Sequence, residues 1–163
     1  MISKLISGGQ TGVDRGALDA ALDRGFPCGG WCPRGRRAED GAIPPRYPLR
    51  EMDTAGYMAR TVQNVTDSDA TLILASGPLT GGTKATEKHA RKAGRPCLII
   101  GLDGAAPDGD VDRIAGWIRA NGIDVLNVAG PRESAHPGIE GQARRLVGAV
   151  LERIGSPVSS QIS

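Results

Sequence analysis

An α/β fold is predicted, a three-layer sandwich built on a mostly parallel sheet, and three features of the 163-residue sequence predict it. Short β-branched runs alternate with longer stretches of helical periodicity. The connections between them are brief, which suits parallel strands joined by right-handed crossovers. Hydrophobic residues make up 39% of the chain with 24 glycines besides, enough for one full core and too apolar for a disordered segment.

The elements follow in order. Residues 2–7 read as a strand that stops at Gly8-Gly9. Residues 14–24 read as a helix, with Leu18 and Leu22 four apart and Gly25 at the C-cap. A second strand is expected at residues 27–32, crossed by Gly29 and Gly30. Residues 33–48 have no period; four prolines and Arg34, Arg36, Arg37 and Arg46 mark an ordered surface flap. A helix at 55–67 carries Met58, Val62 and Val65 on one side, and ATLILA at 70–75 is a buried strand. A helix at 84–93, a strand at 97–101, a helix at 111–120 and a strand at 124–128 continue the alternation. The last helix, 139–154, is the clearest amphipath, with Ile139, Ala143, Leu146, Val147, Val150, Leu151 and Ile154 on one face. Residues 1–155 are expected to form one ligand-binding domain of Rossmann type, and 156–163 a frayed tail.

Composition excludes several classes of function. Twenty basic residues against eighteen acidic ones leave little excess for duplex nucleic acid, and five scattered aromatics make no stacking platform. No apolar run is long enough to span a bilayer, and MISKLISGG has no secretory leader pattern. Three cysteines make no disulfide framework; Cys28 and Cys32 are spaced C-x3-C with only two histidines in the chain, so no metal site is expected. A cytoplasmic protein without nucleic-acid or membrane partners is the expectation.

Two glycine loops stand at strand ends, where such sheets bind ligands. The first runs Ser7-Gly8-Gly9-Gln10-Thr11-Gly12-Val13-Asp14-Arg15. Its glycines permit close backbone approach, and the helix that follows offers unpaired N–H groups to a phosphate. Gly8, Gly9, Gln10, Thr11, Gly12 and Arg15 are therefore candidate binding residues. A tight turn that merely avoids steric clash is the competing reading, and Asp14 reads equally as a first-turn acid. The second loop, Ser76-Gly77-Pro78-Leu79-Thr80-Gly81-Gly82-Thr83-Lys84, has the same chemistry. Ser76, Gly77, Thr80, Gly81, Gly82 and Thr83 are its candidates, and Arg34 and Arg36 of the flap offer forked donors to a phosphate.

Neither loop is a standard nucleotide motif. Thr83-Lys84 inverts the Lys-Thr order of a P-loop, and the dinucleotide pattern would put Ser7 in its first glycine slot. No Ser-His-Asp order or G-x-S-x-G elbow is present. His89 and His136 read as ordinary surface or half-buried residues. Glu87 is the one acid–base candidate, and it reads equally as a solvated helix carboxylate.

The segments ISGGQTGVDRGALDAAL, WCPRGRRAEDGAIPPRYPL, SGPLTGGTKATEKHA and LNVAGPRES, taken together, resemble the molybdenum-cofactor carrier protein family over about residues 6–150. The resemblance implies a Rossmann-like fold, a homo-oligomer (dimer or tetramer) and binding of the molybdenum cofactor, molybdopterin, through its pterin phosphate. More distantly the chain is similar to lysine-decarboxylase-like phosphoribohydrolases, as a circularly permuted branch. Their P-G-G-x-G-T-x-x-E loop holds phosphate and uses its Glu to cleave an N-glycosidic bond. Here Thr83 to Glu87 is T-x-x-x-E. A non-catalytic binder of a phosphorylated pterin, or otherwise of another phosphate-bearing small molecule, is the leading expectation. A nucleoside monophosphate hydrolase using Glu87, or a sensor of a nucleotide-derived ligand, are the alternatives.

Overall fold

The computed structural model describes residues 2–103 and 107–155, so the expected frayed tail lies outside the described residues. Five parallel strands form the main sheet: β1 (Lys4–Ile6), β2 (Cys28–Gly29), β7 (Ala70–Ala75), β8 (Cys97–Gly101) and β9 (Val125–Ala129). Their spatial order is β2-β1-β9-β7-β8. Numbered from β7 onward and continued through β1 to β2, that order is 2-1-3-4-5, a common doubly wound arrangement with its chain ends moved. Helices α1 (Val13–Asp23), α4 (Pro107–Ala120) and α5 (Ile139–Ile154) pack together on one face, while α2 (Tyr57–Asp67) and α3 (Gly81–Lys92) pair on the other. The α/β expectation holds.

The core sits where the apolar patterns place it. All six residues of β7 are buried, and its register sets Leu72 beside Leu98 and Val128. The seven apolar residues singled out on α5 are all buried. Boundaries differ more: α3 begins at Gly81 and α4 at Pro107, each a turn ahead of its first apolar residues.

One expected element divides in two. The strand at residues 27–32 is β2 and then β3 (Trp31–Cys32), which leaves the main sheet to pair with β6 (Arg50–Glu51). Gly30 makes the break, with φ of 129°. A Cβ there would meet the Ser7 carbonyl at 2.2 Å, so only glycine lets the chain cross β1 so closely.

The flap between β3 and β6 is built rather than loose. A 3-10 turn (Arg34–Arg36) leads into the hairpin β4 (Arg37–Ala38) and β5 (Gly41–Ala42). Arg36 staples it: its guanidinium donates to the carbonyls of Ile43, Pro44, Tyr47 and Leu49. These side-chain-to-carbonyl bonds do what a ladder would otherwise do.

Candidate functional site

The strand order reverses between β7 and β9, and the helices leaving those two strands lie on opposite faces. Such a switch point opens a crevice at the carboxyl ends of the strands. A cleft of about 330 Å3 occupies it. One wall is the second glycine loop, Pro78 to Thr83; another is the β9–α5 connection, with Pro131, Arg132 and His136. The start of α2 supplies Tyr57, Met58, Arg60 and Thr61, and Gln10, Asp14 and Thr86 also line it.

Helices α1, α5 and α3 follow β1, β9 and β7 at this edge, and their first N–H groups meet different fates. At α1, Gly12 N–H donates to Glu140 Oε1 at 3.0 Å and Val13 N–H to the Pro131 carbonyl at 3.2 Å. At α5, Glu133 receives the N–H groups of Gly138 and Glu140 at 2.9 and 3.0 Å. At α3 no side chain caps the end, and the first backbone bond is Lys84 N–H to Thr80 O at 3.3 Å. The N–H groups of Gly81, Gly82 and Thr83 have no partner among the described residues. That end of α3 keeps its unpaired donors and the positive end of its dipole in the cleft.

The cations gather around Tyr57. Its ring has the guanidinium carbons of Arg132 at 4.6 Å, Arg37 at 4.8 Å and Arg60 at 5.9 Å from its centre. Stacking on an aromatic face orients guanidinium groups without using up their donors. Arg60 and Arg132 line the cleft, and among the described residues Asp14 is the only acidic one that lines it. Burial pushes the Asp14 carboxyl above its ordinary range, against the pull of Arg60, the Gln10 N–H and Arg132. The field in the cleft suits an anion.

The sequence candidates divide between cleft and scaffold. Gln10, Thr80, Gly81, Gly82 and Thr83 come together in the cleft. Gln10 also ties the flap, donating to the Arg37 carbonyl and accepting from Glu39 N–H. Thr11 donates to the Glu39 carboxylate and accepts the Glu133 N–H. Arg15 forms a two-pronged pair with Asp40, at 2.6 and 2.8 Å, and donates to the Gly9 carbonyl. The hydroxyls of Ser134 and Thr11 hold the Glu39 carboxyl below its usual range, and Arg15 does the same for Asp40. Gly9 packs beneath Leu49 and Ile43 of the flap.

Ser76 Oγ and Gly77 N–H both bond to Asp103, at 2.5 and 2.9 Å, which holds the second loop's first turn against the end of β8. Arg34 is exposed on the 3-10 turn, and Arg36 is turned into the flap. Among the described residues, no three His, Cys, Asp or Glu side chains gather as metal ligands.

Glu87 takes no part in lining the cleft; its carboxylate accepts both a Nε and a Nη bond from Arg91, at 3.2 and 3.0 Å. One residue earlier on α3, about 100° round the helix, Thr86 is buried, lines the cleft and donates to the Gly82 carbonyl. In the T-x-x-E pattern that position would hold the glutamate.

Arg60, Arg132 and Tyr57 escaped the sequence reading as site residues, and His136, read there as an ordinary surface or half-buried residue, lines the cleft. Arg132 lies in the LNVAGPRES segment, whose glycine and proline at the end of a strand were a usable signal. Arg60 gave none, since one arginine in an amphipathic helix reads as solvated.

No curated protein matches the chain. Among solved structures it is similar to a protein of Syntrophus aciditrophicus SB named as a putative molybdenum carrier protein, at 44% identity and a TM-score of 0.86. That likeness covers 95% of this chain and 96% of the other. Residues 5–151 match a family described as circularly permutated YpsA SLOG. The rotated strand order and this match over nearly the whole chain agree, and the chain belongs to the circularly permutated YpsA SLOG family.

Proposed function

We propose that the protein binds a phosphorylated small molecule in the switch-point cleft and serves as a carrier or storage protein for a phosphorylated pterin, with the molybdenum cofactor as cargo. One observation carries the reading: the uncapped N-terminus of α3 stands in the same cleft as Arg60 and Arg132. Backbone N–H groups at a helix start and forked guanidinium donors are complementary to phosphate oxygens. In this reading Gly81, Gly82 and Thr83 supply backbone donors, Thr80 and Thr83 hydroxyls, and the arginines the charge. Gln10 contacts the rest of the ligand. The name of the solved relative supports the pterin cargo.

Calorimetry with a phosphorylated pterin, its dephosphorylated form, guanosine monophosphate and inorganic phosphate tests the reading. The phosphorylated pterin is expected to bind about 10-fold or more tightly than the dephosphorylated form, one charge-assisted contact's worth. Equal affinity for the two forms defeats it. Tighter binding of the nucleotide than of the pterin moves the reading to a nucleotide-type ligand. Release of free base from nucleoside monophosphates by the wild-type protein makes it a hydrolase.

A further inference from the structure

Arg60 belongs to α2, yet its guanidinium lies over the first glycine loop. A Cβ built on Gly8 would stand 1.9 Å from Nη1 and 2.8 Å from Cζ of Arg60, with Asp14 Oδ2 next at 3.0 Å. Gly8 is not among the residues with positive φ. Its backbone conformation is therefore open to any residue, and what requires glycine there is the arginine.

Asp14 completes the seat. Its Oδ2 is 3.4 Å from Arg60 Nη1, with side-chain exposures of 4% and 14% for the pair, and it accepts the Gln10 N–H at 3.2 Å. Arg60 Nε is buried and has no hydrogen-bond partner among the described residues. Its side-chain hydrogen bond among the described residues is the one to Asp14, so the ion pair, the Tyr57 ring and the space above Gly8 set its position. A carboxylate is otherwise out of place in an anion site, where it repels the ligand.

Resting on the reading that this cleft binds a phosphate group, we propose that Gly8 and Asp14 are positioning residues that seat the Arg60 guanidinium for the ligand's phosphate. The first glycine loop then acts on the ligand's phosphate through an arginine of another element.

The test is a double-mutant cycle read by calorimetry with guanosine monophosphate and inorganic phosphate. Arg60→Ala is expected to weaken binding about 10- to 100-fold, as loss of a charge-assisted contact does. Gly8→Ala is expected to fold, because the obstacle is the mobile end of a side chain, and to weaken binding nearly as much. The double variant should be no weaker than Arg60→Ala alone. If Gly8→Ala costs the same factor in both backgrounds, the glycine serves the ligand or the loop and the seat is overturned. If Gly8→Ala does not fold, recovery of folding in the double variant supports the seat, and its failure overturns it.

Asp14→Asn discriminates by sign. Removing a negative charge alone would tighten anion binding, whereas an unseated Arg60 weakens it. Weaker binding is expected, and unchanged or tighter binding removes Asp14 from the proposal. Should the wild-type protein bind neither probe, the functional reading falls. Thermal melting of the same four Gly8 and Arg60 combinations still tests the seat: Gly8→Ala should cost stability only where Arg60 is present.

Discussion

The two glycine loops are near twins in sequence and opposites in structure. In the first, Ser7 to Arg15, the polar side chains and the helix start are taken by the protein: Thr11 by Glu39, Arg15 by Asp40, and the Gly12 N–H by Glu140. In the second, the N-terminus of α3 has no cap. Their glycines differ in the same way. A Cβ at Gly9 or Gly12 would lie 2.4 or 2.3 Å from a neighbouring atom, while at Gly77, Gly81 and Gly82 it would meet nothing within 4 Å. Glycine after a strand can serve close packing or an open cradle, and its neighbours decide which. The flap covers Gly9 and the β9–α5 connection covers Gly12, while Gly77, Gly81 and Gly82 stay open.

The contrast breaks most sharply at its glycines. Gly12 has φ of 85°, and its Cβ would strike the Pro131 carbonyl. Gly12→Ala is expected to lower the unfolding free energy by about 3 kcal/mol in urea titration. Gly82→Ala should leave it unchanged or raise it by up to about 1 kcal/mol, since a helix favours alanine. Comparable losses at both positions would erase the distinction between the loops.

Arginines give the next largest effect. Arg15→Ala removes a forked pair with half-exposed Asp40 and the bond to the Gly9 carbonyl, and should cost about 1 kcal/mol of stability, with ligand affinity of the folded protein retained. Arg132→Ala should do the reverse, weakening phosphate-ligand binding about 10-fold or more while the melting temperature holds. Calorimetry and melting on both variants sharpen the division between scaffold and site.

Acid should loosen the flap before the cleft. The carboxyls of Glu39 and Asp40 have folded pKa values below their unfolded ones, so their contribution is present above the unfolded pKa and lost as pH falls through the folded one. Asp14 runs the other way, because burial raises its pKa and its ionisation costs stability as pH rises. Melting temperature followed from neutral to acidic pH is expected to fall, and Asp40→Asn to flatten that fall. The smallest effect belongs to Glu87→Gln, which breaks an exposed pair one turn apart with Arg91. It should cost about 0.5 kcal/mol or less and leave affinity unchanged; a large loss of binding would bring Glu87 back into the site.

Sequence legibility followed the range of the forces involved. Strand β7 and helix α5 were readable because their apolar residues record which face is buried. The flap was readable as an ordered segment but not in its internal build, because Arg36 organises it through four carbonyls of residues 43–49, and side-chain bonds to backbone leave no period. The division of residues 27–32 at Gly30 was equally hidden, since the reason is the approach of Ser7.

By itself the sequence determined the layered α/β architecture, the two glycine loops at strand ends and the family likeness, all of them local patterns of hydrophobicity and turn chemistry. Only the tertiary structure decided which loop is open, because the strand order sets β9 between β1 and β7 and so brings Arg132, Arg60 and the start of α3 to one crevice. Those groups are far apart in the chain, and no periodicity records a neighbour that arrives through the sheet.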